Sequence, residues 1–139
     1  MDYEFLEMTS DVMFRAYGKD EKKLFEHAAK AMFSVLSEIE RVKPLKSREI
    51  EVSAESLEEL LFDWLSTLLT TAEIEEMFFS EFKVNELDFI NEEFKLKAVV
   101  KGEIASVQKG QTHVKGVTYY GLKIKKEKGM FNGTVTLDI

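Results

Sequence analysis

The sequence predicts an α+β fold, a single two-layer domain over residues 1–139 in which two helices pack on a largely antiparallel sheet of about seven strands. Three observations carry this. Apolar and polar residues alternate in short runs at both ends of the chain and again in its second half. Two longer segments place their apolar residues at helical spacing. A length of 139 residues with 45% hydrophobic content suits one core that closes without disulfides.

The elements follow in order. Tyr3 to Met8 and Val12 to Tyr17 alternate as strands, joined through Thr9-Ser10-Asp11, residue types that hydrogen-bond their own backbone in tight turns. Gly18 ends the second strand and Asp20 is a suitable N-cap. From Glu21 to about Ile39, Phe25, Ala29, Met32 and Leu36 recur on one helix face, widened by Leu24, Ala28, Ala31 and Val35. Pro44 marks the connector Arg41 to Leu45. Ser47 to Ser53 reads as a short strand through Ile50 and Val52.

Ser56-Leu57-Glu58-Glu59 is a capping box, and Leu57, Leu60, Leu61, Trp64, Leu65, Leu68 and Leu69 follow as a helical apolar face with Asp63 pointing away. A loop is expected from Ala72 to Met77, a strand from Phe79 to Val84, and a turn from Asn85 to Asn91. Phe94, Leu96, Ala98 and Val100 alternate with charged residues, giving a strand with one wet face. Gly102 to Gly116 reads as loop. Val117 to Lys125 returns to strand with Tyr120, Leu122 and Ile124 on one face, and Gly129 turns the chain into Met130 to Ile139. In that last strand Phe131, Val135, Leu137 and Ile139 share one face, and Asn132, Thr134, Thr136 and Asp138 the other.

Composition excludes several chemistries. Zero Cys removes disulfides, thiolate metal sites and Cys nucleophiles, and two histidines, His27 and His113, leave no His-rich zinc site. His27 beside the broad helical stripe reads as structural. No phosphate-binding Gly-rich loop, dinucleotide fingerprint, HExxH or EF-hand loop occurs. No apolar run spans a bilayer and the start Met1-Asp2-Tyr3-Glu4 is not a signal peptide, so the expected location is cytoplasmic. Glu103 after Gly102 is a lone carboxylate, a weak candidate for acid chemistry.

Charge is uneven within the net −7: residues 95 to 128 hold nine lysines against Glu103 and Glu127, so one end is expected to be basic. Such lysines serve as phosphate contacts or as ordinary protection of sheet edges, and neither arginine nor a base-stacking motif accompanies them. At the chain end, the Asp138 side chain and the Ile139 α-carboxylate meet. The ordinary reading is an exposed Asp at a strand end; the other is a pair of oxygen donors around a hard divalent cation such as Ca2+ or Mg2+.

The run Glu7-Met8-Thr9-Ser10-Asp11-Val12-Met13-Phe14-Arg15-Ala16-Tyr17-Gly18 resembles the opening motif of the archease family, E-H-T-A-D followed by an alternating strand ending R-A-Y-G. Leu24-Phe25-Glu26 with Ala31-Met32-Phe33, Leu60-Leu61-Phe62-Asp63-Trp64-Leu65, Gly102-Glu103, Val114-Lys115-Gly116-Val117-Thr118-Tyr119 and Leu137-Asp138-Ile139 continue the resemblance over the whole chain. It departs from the pattern at Met8, where the motif has His, at Ser10 for Ala, and at Tyr120 for His.

The resemblance implies a non-enzymatic protein cofactor that activates the RtcB-type tRNA-splicing RNA ligase by promoting its guanylation with GTP and its multiple turnover. It also implies Asp11, Asp138 and the carboxylate of Ile139 as ligands of a divalent metal, with Ca2+ the expected ion. No stable complex with nucleic acid is expected. The alternative is a metal-dependent RNA-binding or chaperone-like module that acts on RNA through the lysine-rich half.

Overall fold

A computed structural model describes all residues, Met1–Ile139. The chain order is β1 (Tyr3–Met8), β2 (Asp11–Gly18), α1 (Glu21–Leu36), β3 (Lys46–Ala54), α2 (Leu57–Glu75), β4 (Met77–Ile90), β5 (Glu93–Ile104), β6 (Gly116–Glu127) and β7 (Met130–Asp138), with a 3-10 turn at Ile39–Arg41. Two helices and seven antiparallel strands bear out the α+β class. The strands are shared between two sheets, β1-β2-β7-β6 and β3-β5-β4, and each helix contacts strands of both. Which strands share a sheet depends on pairings distant in sequence, which local periodicity does not carry.

A single cluster of 30 buried residues forms the core. From the four-stranded sheet it takes Val12, Phe14, Ala16, Val135 and Leu137, and from the three-stranded sheet Ile50, Phe79, Val84, Leu96 and Val100. Nine residues of α1 are buried, an arc wider than one stripe, because the helix meets both sheets. Trp64 of α2 is fully buried and its indole N–H is satisfied by the Phe25 carbonyl of α1 at 2.9 Å. The predicted N-caps hold: Asp20 accepts from Lys23 N–H at 2.8 Å and Ser56 from Glu59 N–H at 3.2 Å.

Four boundaries differ from the sequence reading. First, α1 stops at Leu36 because its last carbonyls are taken by the later loop: Gln111 N–H donates to Leu36 O and Thr112 N–H to Val35 O. Ser37 forms an isolated bridge with Gly110, so part of the expected loop Gly102 to Gly116 is bound to the helix end. Second, α2 runs through the expected Ala72 to Met77 loop as far as Glu75, closed by Glu76 in the left-handed region at φ 53°.

Third, β4 continues through Asn85 to Ile90, where a turn is expected. The acidic residues there face lysines of β5 in register, Glu86 with Lys97 and Asp88 with Lys95, while Leu87 pairs with Leu96. The turn itself is Asn91-Glu92, both at positive φ as a two-residue hairpin turn requires. Fourth, β6 carries an irregularity between Thr118 and Lys123, so Tyr120 does not share the face of Leu122 and Ile124. Those two pack toward the core, whereas Tyr120 is 73% exposed.

The basic stretch also divides. Lys95, Lys97 and Lys101 belong to β5, the central strand of the three-stranded sheet, and Lys123, Lys125 and Lys126 to β6, an edge of the other. Lys97 lies 3.8 Å from Glu51 and 3.9 Å from Glu86, and Lys95 lies 3.9 Å from Glu93. The expected single basic end is therefore replaced by two separate lysine sets.

Candidate functional site

Of the residues singled out from sequence, the fold brings Asp11 and Asp138 together. Asp11 opens β2 and Asp138 closes β7, and the antiparallel register makes them direct Cα partners. Directly opposed residues project to the same sheet face with Cβ atoms about 4.5–5.5 Å apart, close enough for their carboxylates to share one cation. The register is held by the apolar residues beside them, since Val12 pairs with Leu137 and Phe14 with Val135, all buried. A slip of one residue would turn those four side chains out of the core.

Asp138 is held on its other side too. It pairs with Gly116 of β6, and the Lys115 N–H donates to its carbonyl at 2.7 Å. Both Asp11 and Asp138 are exposed, and no salt bridge engages either carboxylate. Like charges directly across an antiparallel pair repel. Ile139 follows with its side chain half-buried against the core. No group of three or more His, Cys, Asp or Glu side chains is assembled. A cation bound here would take the Asp11 and Asp138 side chains, and the expected third donor, Ile139, directly follows Asp138 in the chain. The donor set is all oxygen and anionic, which fits a hard divalent ion rather than zinc or copper.

The other candidates resolve into supports. Glu103 accepts from Lys109 Nζ at 2.8 Å and from the Lys43 backbone N–H at 2.6 Å. The Lys109 bond first, and the Lys43 N–H second, hold its carboxyl below the usual carboxylate range. Glu103 thus fastens the loop after β5 and the connector before β3. Gly102 beside it is required by close approach, because a Cβ there would lie 1.8 Å from the Phe78 carbonyl oxygen of β4. His27 places Nδ1 2.5 Å from the Tyr17 carbonyl, so that nitrogen carries the proton and the ring serves structure. His113 is exposed, and Met8, where the motif has His, is 60% exposed at the end of β1.

Sequence reasoning missed Glu26. Its carboxylate is buried and accepts from Val84 N–H at 2.9 Å and Lys23 Nζ at 3.1 Å, beside the irregularity of β4 between Val84 and Glu86. The signal was a glutamate inside the α1 apolar face, next to Phe25. Reasoning also missed that Asp11 shares its sheet face with Met13, Arg15 and Tyr17, the alternate residues of β2 left outside the core. Tyr17 donates its hydroxyl to Glu4 Oε2 at 2.7 Å, and this bond raises the phenol above its ordinary range.

The fold is shared with known proteins. Residues 3–139 match the model of the archease protein family (MTH1598/TM1083). The chain is 39% identical over 139 residues to the protein archease of Methanosarcina mazei, covering 99% of this chain and 95% of that one. It is 35% identical over 141 residues to the protein archease of Methanopyrus kandleri, covering all of both. The solution structure of Methanobacterium thermoautotrophicum protein 1598 superposes with a TM-score of 0.85 at 31% identity, over 99% of each chain. A crystal structure from Thermotoga maritima, described as an archease and possible chaperone, has the same fold with a TM-score of 0.62 at 18% identity, over 96% of this chain and 94% of that one. By the family match over nearly its whole length and by its identity to these relatives, this chain belongs to the archease family.

Proposed function

We propose that this protein activates an RtcB-type tRNA-splicing RNA ligase in the cytoplasm, acting as a protein cofactor that promotes guanylation of the ligase with GTP and its multiple turnover. It performs no catalysis itself. The working site holds a divalent ion, Ca2+, through Asp11, Asp138 and the carboxylate of Ile139, and presents that ion on an exposed sheet end. The observation that carries the reading is the direct pairing of Asp11 with Asp138, two unneutralised carboxylates on neighbouring strands whose register the core enforces. When bound, the ion would offset the charge of the three carboxylates and supply a coordination centre for oxygen ligands of a partner.

Family membership supports the choice of partner, and the division of the lysines weighs against a continuous RNA track as the working surface. The test is a guanylation and turnover assay of the cognate ligase with and without this protein, in calcium and in chelator. Stimulation by the wild type that is lost in Asp11→Asn and Asp138→Asn supports the reading. Equal stimulation by all three sinks the carboxylate site, and no stimulation by any sinks the ligase role.

A further inference from the structure

The outer face of the β1-β2-β7-β6 sheet, which no helix covers, is concave. A hollow of about 680 Å³ lies on it, within the range of small-molecule sites. Three cations line it, Arg15 from β2 and Lys123 and Lys125 from β6, against one carboxylate, Glu127. None of the three forms a salt bridge within 4 Å; Arg15 Nε donates to Thr134 Oγ1 at 3.3 Å, and the nearest carboxylate across the strands, Glu4 of β1, accepts from Tyr17 instead. In register, Arg15 of β2 and Lys123 of β6 flank Thr134 of the intervening β7, so positive charge gathers on one sheet face of a net-acidic protein and would attract an anion.

The wall of the hollow is built by the irregular part of β6. Between Thr118 and Lys123 the strand leaves register, and Gly121 takes φ +67°, the left-handed region that favours glycine. This swings Tyr120 onto the open side, while Tyr119 stacks on Phe62 of α2 at 3.9 Å and 6° on the other. Thr136, close to Gly121 on the same face, keeps a buried hydroxyl with no hydrogen-bond partner. Apolar residues are few in the lining, so the hollow lacks the apolar centre of a protein-docking surface. Cations, hydroxyls and an exposed aromatic ring in one bounded space are the donors that a phosphorylated small molecule uses.

We propose that this hollow binds a phosphorylated small molecule of nucleotide size, its phosphates on Arg15, Lys123 and Lys125 and a planar group against Tyr120. The site is distinct from the carboxylate pair. Arg15 is four residues along β2 from Asp11, roughly 13 Å at about 3.3 Å per residue. The inference does not rest on the ligase reading, because binding is measured on the isolated protein with a chelator present.

The experiment titrates the protein calorimetrically at low salt with tripolyphosphate, with a nucleoside triphosphate and with the matching nucleoside. Saturable one-to-one binding of both phosphate compounds is expected, weakened by about tenfold or more in Arg15→Gln and in Lys123→Gln/Lys125→Gln. The control Lys95→Gln/Lys97→Gln, on the other sheet, should bind like wild type. Tyr120→Ala should weaken the nucleoside triphosphate and leave tripolyphosphate unchanged, which separates a base-bearing ligand from free phosphate; an equal effect on both leaves a phosphate-only site. Circular dichroism confirms that each variant is folded. The proposal is overturned by absence of saturable binding, by equal loss in the control pair, or by binding of an oligoribonucleotide that tripolyphosphate does not displace.

Discussion

At the scale of single residues, Asp11 and Asp138 are costly to the fold unless something neutralises them. Their direct opposition places like charges across a strand pair. Asp138→Asn should therefore leave metal-free stability unchanged or raised by about 0.2–1 kcal/mol, while removing any calcium-dependent rise in Tm. Thermal unfolding in chelator and in calcium checks both halves; a wild type whose Tm ignores calcium contradicts the metal site. Asp138 was legible as a candidate from the chain end alone. Asp11 was not, because its own surroundings read as a turn, and only the family resemblance and then the register with β7 join the two.

Glu103 gives a separate residue-scale prediction. Its folded carboxyl titrates below the ordinary 4.5, first through Lys109 and then through the Lys43 N–H. A depressed carboxylate adds stability that is full above its unfolded pKa and is lost as pH falls through its folded one. The wild type should thus lose this contribution as the pH drops below about 4.5, and Glu103→Gln should flatten that part of the stability profile. Denaturant midpoints between neutral and acid pH decide it, and a Glu103→Gln profile parallel to the wild type would contradict it.

Among the elements, those carried by local chemistry were legible and those settled by distant partners were not. The α2 capping box and its leucine stripe, and the alternation of β7, follow from neighbours a few residues apart. The end of α1 was not legible, since its carbonyls are satisfied by Gln111 and Thr112 from far along the chain. The second half of β4 was read as a turn because Glu86 and Asp88 look solvated until Lys97 and Lys95 stand opposite.

The true turn makes its own prediction. Glu92 sits at φ 64°, where a residue with a Cβ pays about 1–2 kcal/mol, so Glu92→Gly should raise stability and Tm despite the flexibility of glycine. Leu137→Ala, in contrast, removes a fully buried side chain from the strand that aligns Asp138 and should cost about 2–5 kcal/mol. Equilibrium unfolding in denaturant measures both.

Taken as a whole molecule, the two helices and two sheets close around one core and leave the outer face of the four-stranded sheet open to solvent. That face carries the aspartate pair at one end and the Arg15, Lys123 and Lys125 hollow along it. The division between the sheets sets this layout, and it was the part of the fold least visible in the sequence. The measurement closest to the central claim is guanylation and turnover of the cognate ligase, followed with wild type, Asp11→Asn and Asp138→Asn in calcium and in chelator. The account predicts stimulation by the wild type in calcium alone, and none by either folded variant. Stimulation by Asp138→Asn equal to that of the wild type would contradict it.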